Sequence, residues 1–487
     1  MGVRQARQDQ GQGVPDLLVL GRRPLLAPLV AAGTLHPLTL VAGSARTVPA
    51  EGGLAQVRPG SVVAGSARTV PAEGGLPEER RGSVLADNPP ASDSLGFYIH
   101  VPFCAQRCHY CSFNTAPLDA TAMTRYLAAV GCELDLLGAL AWAPRVRVET
   151  VFFGGGTPSL LDPAALAAIL ARLRRRFAVA PGAEITVEGN PESVTREKLH
   201  AYRAAGVNRL SLGVQSLDDA ILRRLGRLHD GRGARRAFEA ARDAGIANVS
   251  VDLMYGLPGL DPEGWSRTVD AVLDWQPDHL SAYGLTLDAG SLWGAAGVAG
   301  LPPEETVVAQ YWRLARAAAE RGFEHYEISN YARPGFRSRH NQIYWRAAEY
   351  LAAGPGACGF VGRVRYANVR ATPRYAVTLE EGRLPLDTFE ELTPRQRLAE
   401  RLILGLRTAD GVPAAWLGAR LLCSGGPEPG SSRGWPAGGA AWLRDAEPLR
   451  RTIDAWRGER LLADAGDRVR LTEAGFLVSD ALFVELL

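Results

Sequence analysis

From Leu95 onward, short apolar runs alternate with segments of helical period. Phe97 to Val101, Val148 to Phe153, Glu184 to Glu188, Arg209 to Val214, Val249 to Leu253 and His279 to Leu285 read as strands, rich in β-branched and aromatic residues. Runs this apolar on consecutive positions are buried on both faces, which implies a parallel sheet covered by helices. The intervening segments supply those helices. Pro163 to Arg176 follows Asp162, a predicted N-cap with Pro at the first helical position, and Trp265 to Trp275 repeats the apolar spacing. Six such units predict an α/β fold, an open or partial barrel rather than a closed eight-unit one. In either form ligands gather at the C-terminal ends of the strands.

The pattern changes at both ends. A third region begins near Phe389, where Thr393-Pro394-Arg395-Gln396 has the spacing of a capping box and Leu398, Leu402 and Leu406 follow at helical intervals. A helix carrying Leu449, Ile453 and Trp456 comes next, then a hairpin from Arg460 to Leu471 turning at Gly466, then a helix capped by Thr472. This helix–hairpin–helix order resembles a winged-helix-like α+β unit, read here as a capping or partner-contact domain. It shows no basic stripe for DNA. Residues 424–440 are rich in Gly, Pro and Ser and predict a flexible surface insertion. At the other end, VAGSARTVPAEGGL occurs twice without change, at Val41 to Leu54 and Val63 to Leu76. An exact copy with no hydrophobic period points to recent duplication rather than to a structural repeat, so 1–94 is expected to be a low-complexity, disordered extension. Arg22-Arg23 and the apolar stretch after them resemble a twin-arginine signal only loosely. The expected organisation is 1–94, a barrel at 95–385 and a C-terminal domain at 386–487.

Composition narrows the function. Of 487 residues, 46% are hydrophobic and 22% charged, which suits a globular chain. A net charge of +2 offers no electrostatic reason for a nucleic-acid partner. No apolar run is long enough for a transmembrane helix. Lys198 is the sole lysine, a bias that fits a GC-rich genome and says little about function.

The cysteines carry the chemistry. Cys104, Cys108 and Cys111 fall together after the first predicted strand, while Cys132, Cys358 and Cys423 are scattered. Clustered thiols in a chain without a convincing export signal point to metal in a reducing compartment. Soft sulfur ligands suit an iron–sulfur cluster or zinc, but zinc prefers four protein ligands and no second Cys pair is present. Three ligands on a four-iron cluster leave one iron open to a small molecule.

YIHVPFCAQRCHYCSF, with Tyr110 before the last Cys, resembles the cluster loop of the radical S-adenosylmethionine (SAM) superfamily. The resemblance covers about Leu95 to Leu487 and implies a partial (β/α)6 radical SAM barrel. It also implies a [4Fe-4S] cluster on Cys104, Cys108 and Cys111, with S-adenosyl-L-methionine on the open iron, where one electron yields a 5′-deoxyadenosyl radical. Further segments are similar to the coproporphyrinogen-oxidase-like branch: Gly154-Gly155-Gly156-Thr157-Pro158, Glu188, Gln215, Arg227 and Asp252, with Tyr98 on the first strand. The resemblance implies SAM contacts at Tyr98, Tyr110, Gly155, Gly156, Thr157, Glu188, Gln215, Arg227 and Asp252.

Within that branch two groups compete. Oxygen-independent coproporphyrinogen III dehydrogenases carry a fourth Cys where this chain has Phe113. The HemW group of heme chaperones lacks it and carries His-Asn-x-x-Tyr-Trp, here His340-Asn341-Gln342-Ile343-Tyr344-Trp345. That resemblance implies heme binding at His340 and Tyr344, and delivery of heme to acceptors such as respiratory cytochromes. The protein would be cytoplasmic, in peripheral contact with the membrane, and able to form a homodimer; the dehydrogenase is the alternative. Many relatives have Pro at the position of His109 and His at that of Cys358, which reads either as a buried small hydrophobe or as an extra soft ligand. Gly354 to Gly359 spells GxGxxG but follows no convincing strand and lacks a ribose-binding acid, so no dinucleotide site is expected. His325 and Tyr326 are expected in the core or the substrate cavity.

Overall fold

The computed structural model describes residues 83–417, 446–484 and 486. The exact repeat, Arg22-Arg23, Cys423 and the 424–440 insertion lie outside the described residues. Six strands, β1 (Ser94–Val101), β2 (Arg147–Gly155), β3 (Ala178–Gly189), β4 (Arg209–Gln215), β5 (Asn248–Tyr255) and β6 (His279–Gly284), pair side by side in chain order, all parallel. The crossovers carry α1 (Ala120–Gly138), α2 (Pro163–Arg176), α3 (Arg196–Ala205), α4 (Asp219–Leu225), α5 (Gly231–Asp243) and α6 (Pro262–Asp274). Aspartates start most of them: Asp162 accepts from the Ala164 N–H, and Pro163 fills the first helical position, as its sequence predicts. Arg174, Arg175 and Arg176 end that helix, where cations favour the carbonyl end of the dipole.

Past β6 come α7 (Leu292–Ala296) and α8 (Glu304–Glu320). The sheet then grows at both edges. β7 (Glu324–Glu327) and β8 (Asn330–Ala332) form an antiparallel hairpin beside β6. After α9 (Arg339–Trp345), β9 (Tyr350–Ala353) pairs in parallel with β1 and is followed by antiparallel β10 (Cys358–Val361) and β11 (Val364–Asn368). Beyond α10 (Thr372–Glu380), β12 (Leu386–Glu391) closes that flank. The sheet has twelve strands among the described residues, with β12 and β7 as its unpaired edges, so it forms the expected open, partial barrel.

Alternation along the strands sorts the side chains. Phe97, Ile99, Val151, Phe153 and Val187 point outward and are sealed under the helices with Leu166, Leu170 and Leu173 of α2. Burying each such side chain contributes about 1.5–3 kcal/mol. The opposite faces of the same strands carry polar groups, among them Thr186, Glu188, Arg209, Ser211 and Asp252, which line the concave side.

Two expected boundaries shift. Residues 83–94 belong to the fold rather than to a disordered extension: Leu85 is fully buried, its carbonyl accepts from Trp142 Nε1 at 2.8 Å, and Glu349 accepts from the Ala91 and Ser92 N–H groups. The sheet also runs past residue 385 to Glu391, because β12 pairs with β11. The C-terminal unit follows. Its first helix, α11 (Pro394–Leu406), has the full capping box of Thr393 and Gln396. β13 (Val412–Pro413), α12 (Ala446–Gly458), the hairpin of β14 (Leu462–Ala465) and β15 (Arg468–Leu471), and then α13 (Glu473–Leu477) and α14 (Ser479–Val484) complete it. The hairpin turns at Gly466, with φ +67°, a left-handed conformation that favours glycine. Leu402, Leu406, Ile453, Trp456 and Val469 form a separate core there. Two buried ion pairs tie it to the sheet, Arg407 with Glu327 of β7 at 2.6 Å and Glu400 of α11 with Arg365 of β11.

Candidate functional site

The cluster loop leaves the C-terminal end of β1 at the mouth of the concave face. Phe103–Cys104 pairs briefly with Ala116–Pro117, which brings the loop back on itself. Cys104, Cys108 and Cys111 are all partly buried, and the Cys111 N–H donates to Cys108 O. Burial pushes the Cys104 thiol up and the Cys111 thiol to about 11, and for Cys111 the neighbouring Cys108 and Cys104 add to the rise. Among the described residues no three His, Cys, Asp or Glu side chains converge tightly enough to hold a single metal ion. Ligands of one zinc share a tetrahedron with Zn–S of ~2.3 Å, whereas thiolates on three irons of one cluster stand farther apart. The soft thiol donor set on this loop suits an iron–sulfur cluster.

The turn after β2 grips this loop. The Gly156 N–H donates to Val101 O and the Thr157 N–H to Phe103 O, each at 2.8 Å. A Cβ at Gly156 would lie 2.6 Å from Phe103 O, and one at Gly155, with φ +115°, would strike the His100 ring. Only glycine allows this approach. Thr157 Oγ1 donates to Cys104 Sγ at 3.5 Å and accepts from Asn190 Nδ2 at 3.2 Å. Asn190 Oδ1 accepts from Arg227 Nη2 at 2.7 Å, and Arg227 Nη1 donates to Cys108 Sγ at 3.5 Å. A chain of three polar side chains, joined by four hydrogen bonds, thus links two of the three sulfurs. Asn190 is absent from the sequence-predicted set; its position beside Glu188 at the end of β3 was the available signal.

The other predicted residues gather below. Gln215 ends β4 at φ +66°, a conformation costly for a side chain with Cβ, and its amide, Asn190 Oδ1 and Arg227 Nη2 all lie around Gly213, where an added Cβ would crowd them. The Arg227 Nε–H is buried without a partner among the described residues, as is Thr186 Oγ1. Such orphaned groups suit a ligand or water on the concave face. Burial raises the Glu188 carboxyl to about 8, with the nearby Asp252 carboxylate adding and the Gly155 N–H opposing. Asp252 is raised by burial against hydrogen bonds from Ser211 and Ser250. Tyr98 stacks on Phe152, its hydroxyl 3.0 Å from His100 Nδ1, and Tyr110 is partly buried near Cys108 and Arg227. Acidic groups, orphaned donors and a glycine turn beside the thiols fit a cationic, polar small molecule such as SAM.

His340 and Tyr344 are not brought to this mouth. They lie on α9, which packs across the N-terminal halves of β1 and β2. His340 is fully buried; Nδ1 meets Thr150 Oγ1 and Nε2 meets the Tyr344 hydroxyl, both at 2.7 Å, and the ring stacks on Phe152. The Glu184 carboxylate accepts from the Arg339 and His340 N–H groups at the start of the helix. For His340 to ligate iron, the Thr150 or Tyr344 hydroxyl would have to give up its hydrogen bond and the ring its stack on Phe152; in this ligand-free structure His340 is a packed residue at the N-terminal end of the strands. Contrary to the sequence reading, Gly354 to Gly359 does follow a strand, β9, but it turns the chain into antiparallel β10 rather than into a helix. Cys358 is largely buried beside Tyr98 and Tyr350, and its thiol is pushed up by burial.

Comparison with known proteins agrees with this geometry. Residues 98–272 match the model of the Radical SAM superfamily. The chain is 39% identical over 407 residues to "Heme chaperone HemW" of Mycobacterium tuberculosis, spanning 82% of this chain and 96% of that one. It is 34% identical over 319 residues to the HemW protein of Bacillus subtilis, spanning 65% and 84%. Its fold is similar to that of coproporphyrinogen III oxidase (HemN) from Escherichia coli, with a TM-score of 0.69 at 22% identity over 82% of this chain and 92% of that one.

Proposed function

Because the chain belongs to the HemW group of the radical SAM superfamily, we propose that it is a heme chaperone, which holds heme and passes it to acceptor proteins such as respiratory cytochromes. The observation that carries this reading is the 39% identity spanning nearly the whole of a named heme chaperone, joined to a cluster loop with Phe113 at the dehydrogenases' fourth Cys. Cys104, Cys108 and Cys111 would hold a [4Fe-4S] cluster, and Glu188, Gln215, Arg227, Asp252 and the Gly155-Gly156-Thr157 turn would hold SAM. A cluster bound by three thiolates supplies one open iron for the amino and carboxylate groups of SAM.

This chain's own residues do the positioning. Thr157 and Arg227 donate hydrogen bonds to Cys104 and Cys108, which stabilises sulfur in its anionic form. Asn190 couples the two donors, so displacement of either is felt by both thiols. Gly156 keeps the turn close against the loop, where an added Cβ would meet Phe103 O. Among the described residues no helix is long and apolar enough to cross a membrane. We place the protein in the cytoplasm, reaching its acceptors at the membrane surface.

Anaerobic reconstitution with iron and sulfide, followed by hemin titration on the same sample, tests the proposal. We expect a brown, cluster-bearing protein that binds hemin, with the chromophore abolished by Cys104→Ser, Cys108→Ser or Cys111→Ser. Conversion of coproporphyrinogen III to protoporphyrinogen with SAM and a reductant, at enzymatic rates, would sink it.

A further inference from the structure

Chemistry fixes the direction of every hydrogen bond in the polar chain at the cluster loop. A guanidinium can only donate, so the atom of Asn190 that faces Arg227 Nη2 at 2.7 Å is the amide oxygen. The amide nitrogen therefore faces Thr157, and since it too can only donate, Thr157 Oγ1 accepts from it at 3.2 Å. A hydroxyl has a single proton. With a lone pair turned to Asn190, Thr157 Oγ1 keeps that proton for Cys104 Sγ at 3.5 Å, where a thiolate can only accept. Arg227 Nη1 donates directly to Cys108 Sγ at 3.5 Å. All four bonds thus run one way, from the Arg227 cation toward the two sulfurs.

A primary amide on a short side chain completes this chain because it offers an acceptor on one side and a donor on the other. An aspartate offers acceptors on both sides, and an apolar side chain offers neither. The neighbouring groups are anchored independently of the amide. Arg227 Nη2 also donates to Gly213 O at 2.6 Å. The Asn190 N–H donates to Ser159 Oγ at 3.3 Å, and Asn190 O accepts from the Ser193 N–H at 2.9 Å and from Ser193 Oγ at 2.8 Å. Lys198 Nζ ties the two turns together, donating to Ser159 O at 2.7 Å and to Ser193 O at 3.2 Å. A change of side chain at Asn190 therefore alters the direction of the hydrogen bonds while the backbone that carries it stays held.

We propose that Asn190 is a positioning residue that turns the Thr157 hydroxyl proton onto Cys104 Sγ and so raises the reduction potential of the iron–sulfur centre held by the three cysteines. The proposal rests on the cluster reading of Cys104, Cys108 and Cys111. Hydrogen bonds donated to cluster sulfurs stabilise negative charge on them, which favours the reduced, more negative state. The step concerned is the gain of one electron from a low-potential one-electron reductant. No bond forms or breaks in it, and the proton stays on Thr157.

The test is a redox titration of the full-length, reconstituted protein without SAM, with dithionite as reductant, read by electron paramagnetic resonance alongside iron and sulfide content. In Asn190→Asp the carboxylate takes the Thr157 proton away from Cys104. The equilibrium constant for reduction should fall about tenfold, which is ~59 mV for one electron. Thr157→Val removes the same proton and should lower the potential by a similar amount, whereas Thr157→Ser keeps a hydroxyl and should keep the wild-type value. Added to Thr157→Val, Asn190→Asp has no proton to divert, so its effect should shrink. A wild-type potential in Asn190→Asp or Thr157→Val at full iron and sulfide content would overturn the proposal. So would an Asn190→Asp effect of equal size with and without the Thr157 hydroxyl, since that is the action of the added charge alone. If Asn190→Asp assembles too little cluster, Asn190→Ala carries the decision. It leaves the hydroxyl unsteered and should lower the potential by part of that amount, and an unchanged value would refute the role. Wild-type protein that assembles no cluster would instead defeat the reading on which the proposal rests.

Discussion

Glu188 shows what the concave face does to a single group. Burial and the Asp252 carboxylate hold its carboxyl at about 8, against 4.5 in an unfolded chain. The fold therefore binds this proton more tightly than the unfolded chain does. Its contribution to stability is complete below about pH 4.5 and is lost as the pH rises through about 8. We expect the melting temperature of the ligand-free protein to fall across that window, and the fall to be shallower in Glu188→Gln. Glu133, raised by burial to about 7 beside Tyr375 and Asn368, acts in the same direction, so part of the fall remains in that variant. His340 gives a contrasting case. His340→Ala removes a ring stacked on Phe152 and leaves Thr150 and Tyr344 each without that partner, a loss of about 3 kcal/mol in denaturant unfolding, with the hemin spectrum unchanged. A pattern of His, Tyr and Trp at helical spacing fits a ligand set and a packed helix equally well, and only the positions of Thr150 and Glu184 decide between them.

At the scale of elements, the junction between the sheet and the C-terminal unit holds two buried ion pairs, Arg407 with Glu327 and Arg365 with Glu400. Arg407 and Glu327 are both fully buried, and Glu327 also accepts from the Ser329 N–H and Asn330 Nδ2. Arg407→Ala strands a buried carboxylate and should cost about 3–5 kcal/mol. Thr393→Ala, at an exposed cap, should cost about 1 kcal/mol. Urea unfolding measures both, and equal effects would contradict the importance given to the junction. Local chemistry makes the capping box, the Asp162 cap and the Gly466 turn legible in sequence. The short strands β7 to β12 were not, because runs of three to six residues carry too little period and owe their place to pairing with β1 and β6.

For the whole molecule, the start of the fold is measurable. A chain lacking residues 2–92 loses Leu85 from the core and the Trp142 and Glu349 hydrogen bonds, so it should melt lower than one lacking residues 2–82; equal melting would contradict that packing. The sequence by itself determined the parallel strand–helix alternation, the trio of thiols and the glycine turn, because each depends on spacing along a few consecutive residues. Tertiary structure alone decided that Asn190 bridges Thr157 and Arg227, and that His340 packs at the far end from the cysteines. Those outcomes depend on which groups meet across strands and loops distant in the chain. A side chain's hydrogen-bonding capacity is spent only where the fold brings it a partner.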